Sequence, residues 1–238
     1  MTLDRPYSNK YNALIFDLDD TLLDTCGQLI KPANREACQA MIDAGLDTDL
    51  DICLDTRTQL FYQNPRKDVF RLIAEHFPIK DGSTIDEVAT AGHRAFFHRD
   101  VEPHITIPKD VYHMLEAFAE NYRLHLVTSG SPTTQQKKID ILGLEPYFDS
   151  VHLVDTSANK GDAFQKIIAN GNHIPEKVLC IGDRADREIR AANQLGLATC
   201  RVVYGEYSHL EPVSPEEEAD ISITHILHLV EHLAEAEI

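Results

Sequence analysis

The stretch Asn12-Ala-Leu-Ile-Phe-Asp-Leu-Asp-Asp-Thr21 decides how this chain folds. Its apolar run reads as a buried strand, and the acidic residues that end it mark the C-terminal strand end as the place for chemistry. In an extended backbone, residues two apart point the same way, so Asp17 and Asp19 face one small volume beyond the strand. Two carboxylates held that close repel each other unless a divalent cation binds between them or one keeps a proton. An acidic loop or helix cap is the alternative on these residues alone.

Working outward, similar apolar runs recur at Arg123–Thr128, Val151–Val154, Lys177–Gly182 and Ala198–Val203, each separated from the next by a helical pattern. That alternation predicts an α/β fold with a doubly wound, Rossmann-like parallel sheet. Between the first two runs, however, lies far more chain than the roughly thirty residues of a βαβ unit. An insert is therefore expected at 26–105, with a core of 1–25 and 106–238. The insert reads as helices over Ala33–Ala44, Thr58–Tyr62, Lys67–Phe77 and Ile85–His98, with Gly and Pro breaks between them. The chain returns to the core around Thr106–Asp110, where Pro108 precedes a helix over Val111–Glu120.

Three further segments bring chemistry to strand ends, where open parallel sheets bind ligands. Thr128-Ser-Gly-Ser-Pro132 closes the second strand and opens a helix, with Ser131 as N-cap and Pro132 at the first helical position. Free amides near Ser129 and Gly130, with the Thr128 hydroxyl, would make an anion site. Lys160 precedes the apolar helix Ala163–Ala169 and supplies a positive charge, although a lone lysine there is ordinarily a solvated cap residue. Gly182-Asp-Arg-Ala-Asp-Arg-Glu188 ends the fourth strand and adds Asp183, Asp186 and Glu188.

Acid, hydroxyl, lysine and acid in this order make the sequence similar to the haloacid-dehalogenase superfamily of phosphotransferases, over nearly all of the core. Asp17-Leu-Asp-Asp-Thr21 resembles its first motif, Thr128 the second, Lys160 the third and Gly182-Asp183 the fourth, and the insert stands where that family carries a helical cap. The resemblance implies a phosphatase for a small phosphorylated metabolite. Asp17 would be the nucleophile that forms an aspartyl phosphate, and Asp19 the general acid and base. Mg²⁺ would be held by Asp17, the Asp19 main-chain carbonyl and Asp183, with Thr128, Ser129, Gly130 and Lys160 on the phosphate. Five residues after Asp183, where similar sequences mostly carry a second Asp, this chain has Glu188. Either Asp186 or Glu188 could reach a metal-bound water; Asp186 is taken as the residue that supports the metal from outside, and Glu188 as a first-turn acid favoured by the helix dipole.

A phosphomutase keeps the same four motifs. A hydrolytic dehalogenase has no use for Asp19 or magnesium. A phospho-accepting receiver module, the reading from another class, is shorter and carries no insert. The formal charge of −17 over 238 residues argues against nucleic acid as a partner. No apolar run approaches a membrane span, and Met1–Lys10 lacks a signal pattern, so a cytoplasmic monomer or homodimer is expected. The five cysteines lack CxxC spacing and read as reduced packing residues. His225, His228 and His232 share a helix face but read as the polar edge of an apolar helix rather than a metal site. His93, His98 and His104 have no ligand spacing, and Pro212–Glu218 reads as an acidic loop. Within the insert, Arg57, Tyr62, Arg66, Lys67, Arg94, His98 and Arg99 are the side chains available to a substrate.

Overall fold

The structure, a computed structural model, describes residues 7, 9–65, 67–97, 104–155 and 157–234. The chain divides into two compact units, one made of Met1–Cys26 with Pro103–Ile238 and the other of Gly27–Glu102. Arg66, His98 and Arg99 lie outside the described residues.

The first unit is built on strands β1 (Ala13–Phe16), β2 (Arg123–Ser129), β3 (Ser150–Val154), β4 (Val178–Gly182), β5 (Ala198–Val202) and β6 (Ile221–Ile223). They form one sheet in the order β3-β2-β1-β4-β5-β6, and every neighbouring pair is parallel. The five apolar runs read from the sequence are β1 to β5, while β6, a single Ile-Ser-Ile, is an addition. β1 sits centrally because all four of its residues are buried, the pattern of a strand covered on both faces. Strand order reverses between β1 and β4, so the crevice beyond their carboxyl ends is the topological switch point where such sheets bind ligands.

The helices of the second unit, Gly27–Glu102, are α1 (Lys31–Asp43), α2 (Leu50–Gln63), α3 (Val69–His76) and α4 (Ile85–Phe97). They enclose their own core of Ala37, Cys38, Met41, Cys53, Phe70 and Ile73. α2 begins eight residues before the Thr58 expected of it (58 against 50), because Leu50, Cys53 and Leu54 give its first turns an apolar side. Asp68 caps α3 by accepting from the amides of Phe70 and Arg71. Arg57 is buried, its guanidinium 4.8 Å over the Phe61 ring, whereas Tyr62, Lys67 and Arg94 are exposed.

Back in the first unit, α5 (Lys109–Ala119), α6 (Pro132–Leu142), α7 (Gly161–Gly171), α8 (Arg190–Asn193) and α9 (Leu229–Leu233) surround the sheet elements. Ala13, Ile15, Val127 and Val178 pack with Phe164 and Ile167 of α7 and Ala191 of α8. Each large side chain buried there contributes about 1.5–3 kcal/mol. Ile226, Leu229 and Leu233 are buried near the C-terminal end, and the metal-ligand geometry found among the described residues includes none of the histidines. No helix among the described residues is long and apolar enough to cross a membrane.

His125 of β2 is buried, with Nδ1 2.8 Å from the Ser150 hydroxyl. Burial pushes its pKa from 6.5 down to about 4, with His173, His152 and Arg123 adding to the shift and Asp149 opposing it. The unfolded chain therefore takes a proton here at a pH where the folded chain does not. His125 contributes stability that is present above pH 6.5 and lost as pH falls toward 4. Urea unfolding across that window is expected to show a falling midpoint, and His125→Asn a shallower fall. Identical slopes would remove His125 from the account.

Candidate active site

Asp17 leaves the end of β1 with its amide bonded to the Ile181 carbonyl of β4 at 2.9 Å, so the backbone at the switch point is fixed. Its Oδ1 accepts from Lys160 Nζ at 2.7 Å, and the same ammonium lies 2.5 Å from Glu188 Oε1. Asp17, Lys160, Asp183 and Glu188 are all buried. One ligand oxygen from each of Asp17, Asp183 and Glu188 lies within 4.8 Å of the others.

Three carboxylates against one ammonium leave a dry volume with excess negative charge. Burial pushes Asp17 up to about 7, with Glu188 and Asp19 adding to the rise and Lys160 opposing it. Burial likewise raises Asp183 well above the usual carboxylate range, helped by Glu188, Asp17 and Asp20. For Lys160, burial alone would favour the neutral amine, but Asp17 and Glu188 outweigh it and keep the ammonium. Glu188 Oε2 is buried with no hydrogen-bond partner among the described residues. A buried anionic oxygen without a donor, inside a set of hard oxygen ligands, fits a small divalent cation.

Of the two acids Asp186 and Glu188, it is Glu188 whose carboxylate lies beside those of Asp17 and Asp183. A π-helical turn over Ala185–Ile189, in which the Ile189 amide reaches back to the Arg184 carbonyl at 3.3 Å, turns Glu188 inward over the end of β4. Gly182 makes room for it, since a Cβ there would meet Glu188 Cγ at 2.8 Å. Asp186 instead receives both arms of Arg184, at 3.0 and 2.8 Å, and that guanidinium stacks 3.8 Å over the Tyr207 ring. Asp186 is therefore an ion-pair partner rather than part of the acidic cluster.

Asp19 turns its carboxylate to other neighbours. Oδ1 accepts from Lys138 Nζ at 2.6 Å and Thr25 Oγ1 at 2.5 Å, and Oδ2 from Gln135 Nε2 at 2.7 Å. Burial pushes its pKa up, but Lys138 and the three hydrogen bonds prevail and hold it below the usual value. Thr128 is fully buried, its hydroxyl in contact with Gln135 Nε2. The expectation of a free amide at Gly130 does not hold, because that amide donates to the Val154 carbonyl at 2.9 Å and continues the β2–β3 pairing. Ser131 occupies the N-cap of α6 without a side-chain capping bond. A cavity of about 310 Å³ opens beside Lys160 and Ser129, with Asn159, Asp186, Arg187 and Arg190 also on its wall.

Two supporting residues had no sequence signal. Arg201 of β5, read as part of an apolar strand, is buried and donates to the carbonyls of Asp183 (3.1 Å), Tyr207 (3.2 Å) and Leu210 (2.8 Å), which fixes the Asp183 turn. Asp20 adopts φ 54° and accepts from the Cys26 amide at 2.7 Å. It fills the space against Gly205, where a Cβ would fall 2.2 Å from Asp20 Oδ2.

Residues 14–202 match the sequence model of the haloacid dehalogenase-like hydrolases. The glyceraldehyde 3-phosphate phosphatase of Methanocaldococcus jannaschii is 28% identical over 228 residues, covering 92% of this chain and 95% of that protein. The protein of the same name from Methanopyrus kandleri is 29% identical over 220 residues, covering 89% and 92%. Among solved structures, a putative phosphatase from Clostridium difficile superposes with a TM-score of 0.66 at 21% identity, covering 95% of this chain and 100% of that one. The putative HAD-hydrolase YfnB of Bacillus subtilis, solved bound to magnesium, superposes with a TM-score of 0.61 at 20% identity, covering 94% and 99%.

Proposed function

This chain belongs to the haloacid dehalogenase-like hydrolases, and on that premise we propose that it is a magnesium-dependent phosphatase of a small phosphate monoester. The observation that carries the reading is the Asp17–Lys160–Glu188 contact beside Asp183, with an orphaned Glu188 oxygen at the switch point.

Asp17 Oδ1 attacks phosphorus as the bond to the leaving oxygen breaks, giving an aspartyl phosphate and the free alcohol. Asp19 donates a proton to the leaving oxygen and then takes one from the water that releases phosphate from Asp17. Lys160 neutralises Asp17 against the incoming anion, and the Thr128 hydroxyl and Ser129 hold phosphoryl oxygens. Asp17, Asp183, Glu188 and the Asp19 carbonyl are the groups that would hold Mg²⁺, which offsets the negative charge of the transferring group when bound.

The helical unit, entered directly after Asp17–Cys26, is proposed to act as a cap that selects the leaving group while the core handles the phosphate. The relatives named glyceraldehyde 3-phosphate phosphatase put a three-carbon phosphate first among candidate substrates. All five cysteines are free thiols, which fits a cytoplasmic setting.

A panel of triose phosphates, sugar phosphates, nucleoside monophosphates and p-nitrophenyl phosphate tests this reading. Glyceraldehyde 3-phosphate is expected to exceed the nucleotides in kcat/KM by roughly tenfold or more, a margin that one or two pocket contacts supply. Arg94→Ala and Tyr62→Ala, both on exposed side chains of the helical unit, are expected to change the ranking. A ranking untouched by every such substitution would remove the cap as selector, and product with its phosphoryl group moved rather than released would make the enzyme a mutase.

A further inference from the structure

The turn after β4 reads Asp186-Arg187-Glu188, and both acids commit their charge away from the arginine between them. Asp186 receives the two arms of Arg184 at 3.0 and 2.8 Å, and Glu188 lies against Lys160. Arg187 is half-buried, and its guanidinium makes no hydrogen bond or ion pair among the described residues, although the chain has 39 acidic residues for 22 lysines and arginines. Withdrawing a charge from water without a partner is a cost that a bound anion removes. Arg187 stands on the wall of the cavity of about 310 Å³, with Lys160, Ser129, Asn159, Asp186 and Arg190. The other charges on that wall are matched: Lys160 by Asp17 and Glu188, Arg190 by Glu217, and Asp186 by Arg184. One positive charge is left over. Beside it, Asn159 Oδ1 accepts from the Gly161 amide at 2.9 Å, which fixes that side chain and keeps its Nδ2 as a donor.

We propose that this cavity takes a carboxylate carried by the substrate's leaving group, held by Arg187 and Asn159, so that the enzyme prefers short phosphorylated hydroxy acids to esters of neutral alcohols. The inference rests on the phosphatase reading and deepens it. Lys160 and Ser129 line the cavity and, in that reading, also neutralise the nucleophile and hold a phosphoryl oxygen, so the cavity adjoins the place of the phosphate. A surplus of one positive charge matches a carboxylate. A second phosphate group brings more negative charge than one guanidinium offsets, beside the carboxylates of Asp17, Asp183 and Glu188. The guanidinium fork meets the two oxygens of a carboxylate through two parallel N–H groups, which gives direction as well as attraction. About 310 Å³ is at the small end of ligand sites, room for a three-carbon acid rather than a nucleoside.

The test compares 3-phosphoglycerate with glycerol 3-phosphate, which has a neutral hydroxymethyl group in place of the carboxylate, on the parent enzyme, Arg187→Met, Arg187→Lys and Asn159→Asp, all with magnesium. The parent is expected to favour the acid in kcat/KM by about 10- to 100-fold, the scale of hydrogen bonds to a charged group. Arg187→Met is expected to bring that ratio to within about threefold of unity, chiefly by raising KM for the acid, because a contact remote from phosphorus is made in the ground state as well as the transition state. Arg187→Lys keeps the charge but loses the fork, and should retain part of the preference. Asn159→Asp keeps an acceptor for the Gly161 amide while setting a negative charge against the acid, and should lower the ratio too. The ratio of two rates on one preparation does not depend on the folded fraction, and the Asn159 variant serves if Arg187→Met does not accumulate. A parent enzyme without preference for the acid, or Arg187 variants that lower both esters equally, would overturn the proposal. A parent enzyme that hydrolyses neither of these esters nor p-nitrophenyl phosphate with magnesium would overturn the phosphatase reading itself, so the two failures are distinct.

Discussion

Asp17→Asn is expected to lower turnover by more than roughly 10⁴-fold, the scale of loss when a covalent catalyst is deprived of its nucleophile. The amide oxygen keeps the shape of the carboxylate and still accepts from Lys160, but it is too weak a nucleophile to displace an alkoxide. The fold should survive. Asp17 is pushed up to about 7 from 3.8, so the folded chain binds more protons than the unfolded one between those values, and the ionised carboxylate destabilises the fold above pH 7. The Asn variant removes that penalty. Without metal, its melting temperature at pH 8 is expected to equal or exceed that of the parent. Turnover within tenfold of the parent would exclude Asp17 as nucleophile.

Chelation is the second large effect. With EDTA, turnover of every ester is expected to fall below about a hundredth, since several kcal/mol of charge stabilisation are withdrawn. Magnesium restores it. The protein also responds without any substrate, because a cation that binds only the folded state at a hundred times its Kd adds about 2.7 kcal/mol of stability. For a chain of this size that is a rise in Tm of roughly 5–10 °C. Glu188→Gln should raise the metal-free Tm by relieving a crowded set of carboxylates, and should lose most of the magnesium response. Asp186→Asn, which breaks only the pair with Arg184, should keep that response. Undiminished turnover in EDTA with a Tm indifferent to magnesium would sink the metal assignment, and a response lost in Asp186→Asn but kept in Glu188→Gln would reverse the two roles.

The pairing of Asp186 and Glu188 shows where the sequence stops being readable. Asp17 and Asp183 stand at strand ends, where an apolar run broken by a charged residue announces the position, and Lys160 stands at the N-cap of α7, just before an apolar helical pattern. Glu188 lies inside a turn whose extra residue changes the direction of every side chain in it, and ordinary helical spacing assigns it to the wrong side. The neighbours Gly182 and Ile189 were the available hints, one too small to block the approach and the other apolar enough to be buried. Gln135 and Lys138 gave less still. Among the polar residues of α6 nothing local separates the two that turn inward from Gln136 and Lys137, because the group they meet is more than a hundred residues earlier (|i−j| of 116 and 119). The parallel sheet was legible through runs of β1 to β5 dense enough in apolar residues, whereas Ile221-Ser-Ile is too short to stand out from a loop.

The position of β1 also bears on the order in which the molecule can be assembled. Its two neighbours in the sheet are β2, which starts at Arg123, and β4, which starts at Val178. A growing chain must therefore release the nucleophile strand long before either flank exists. The helices of Gly27–Glu102 enclose a core of their own, and so they can form in the interval. Asp17 is synthesised well before Lys160, Asp183 and Glu188, and its full set of charged neighbours exists only once translation has passed β4.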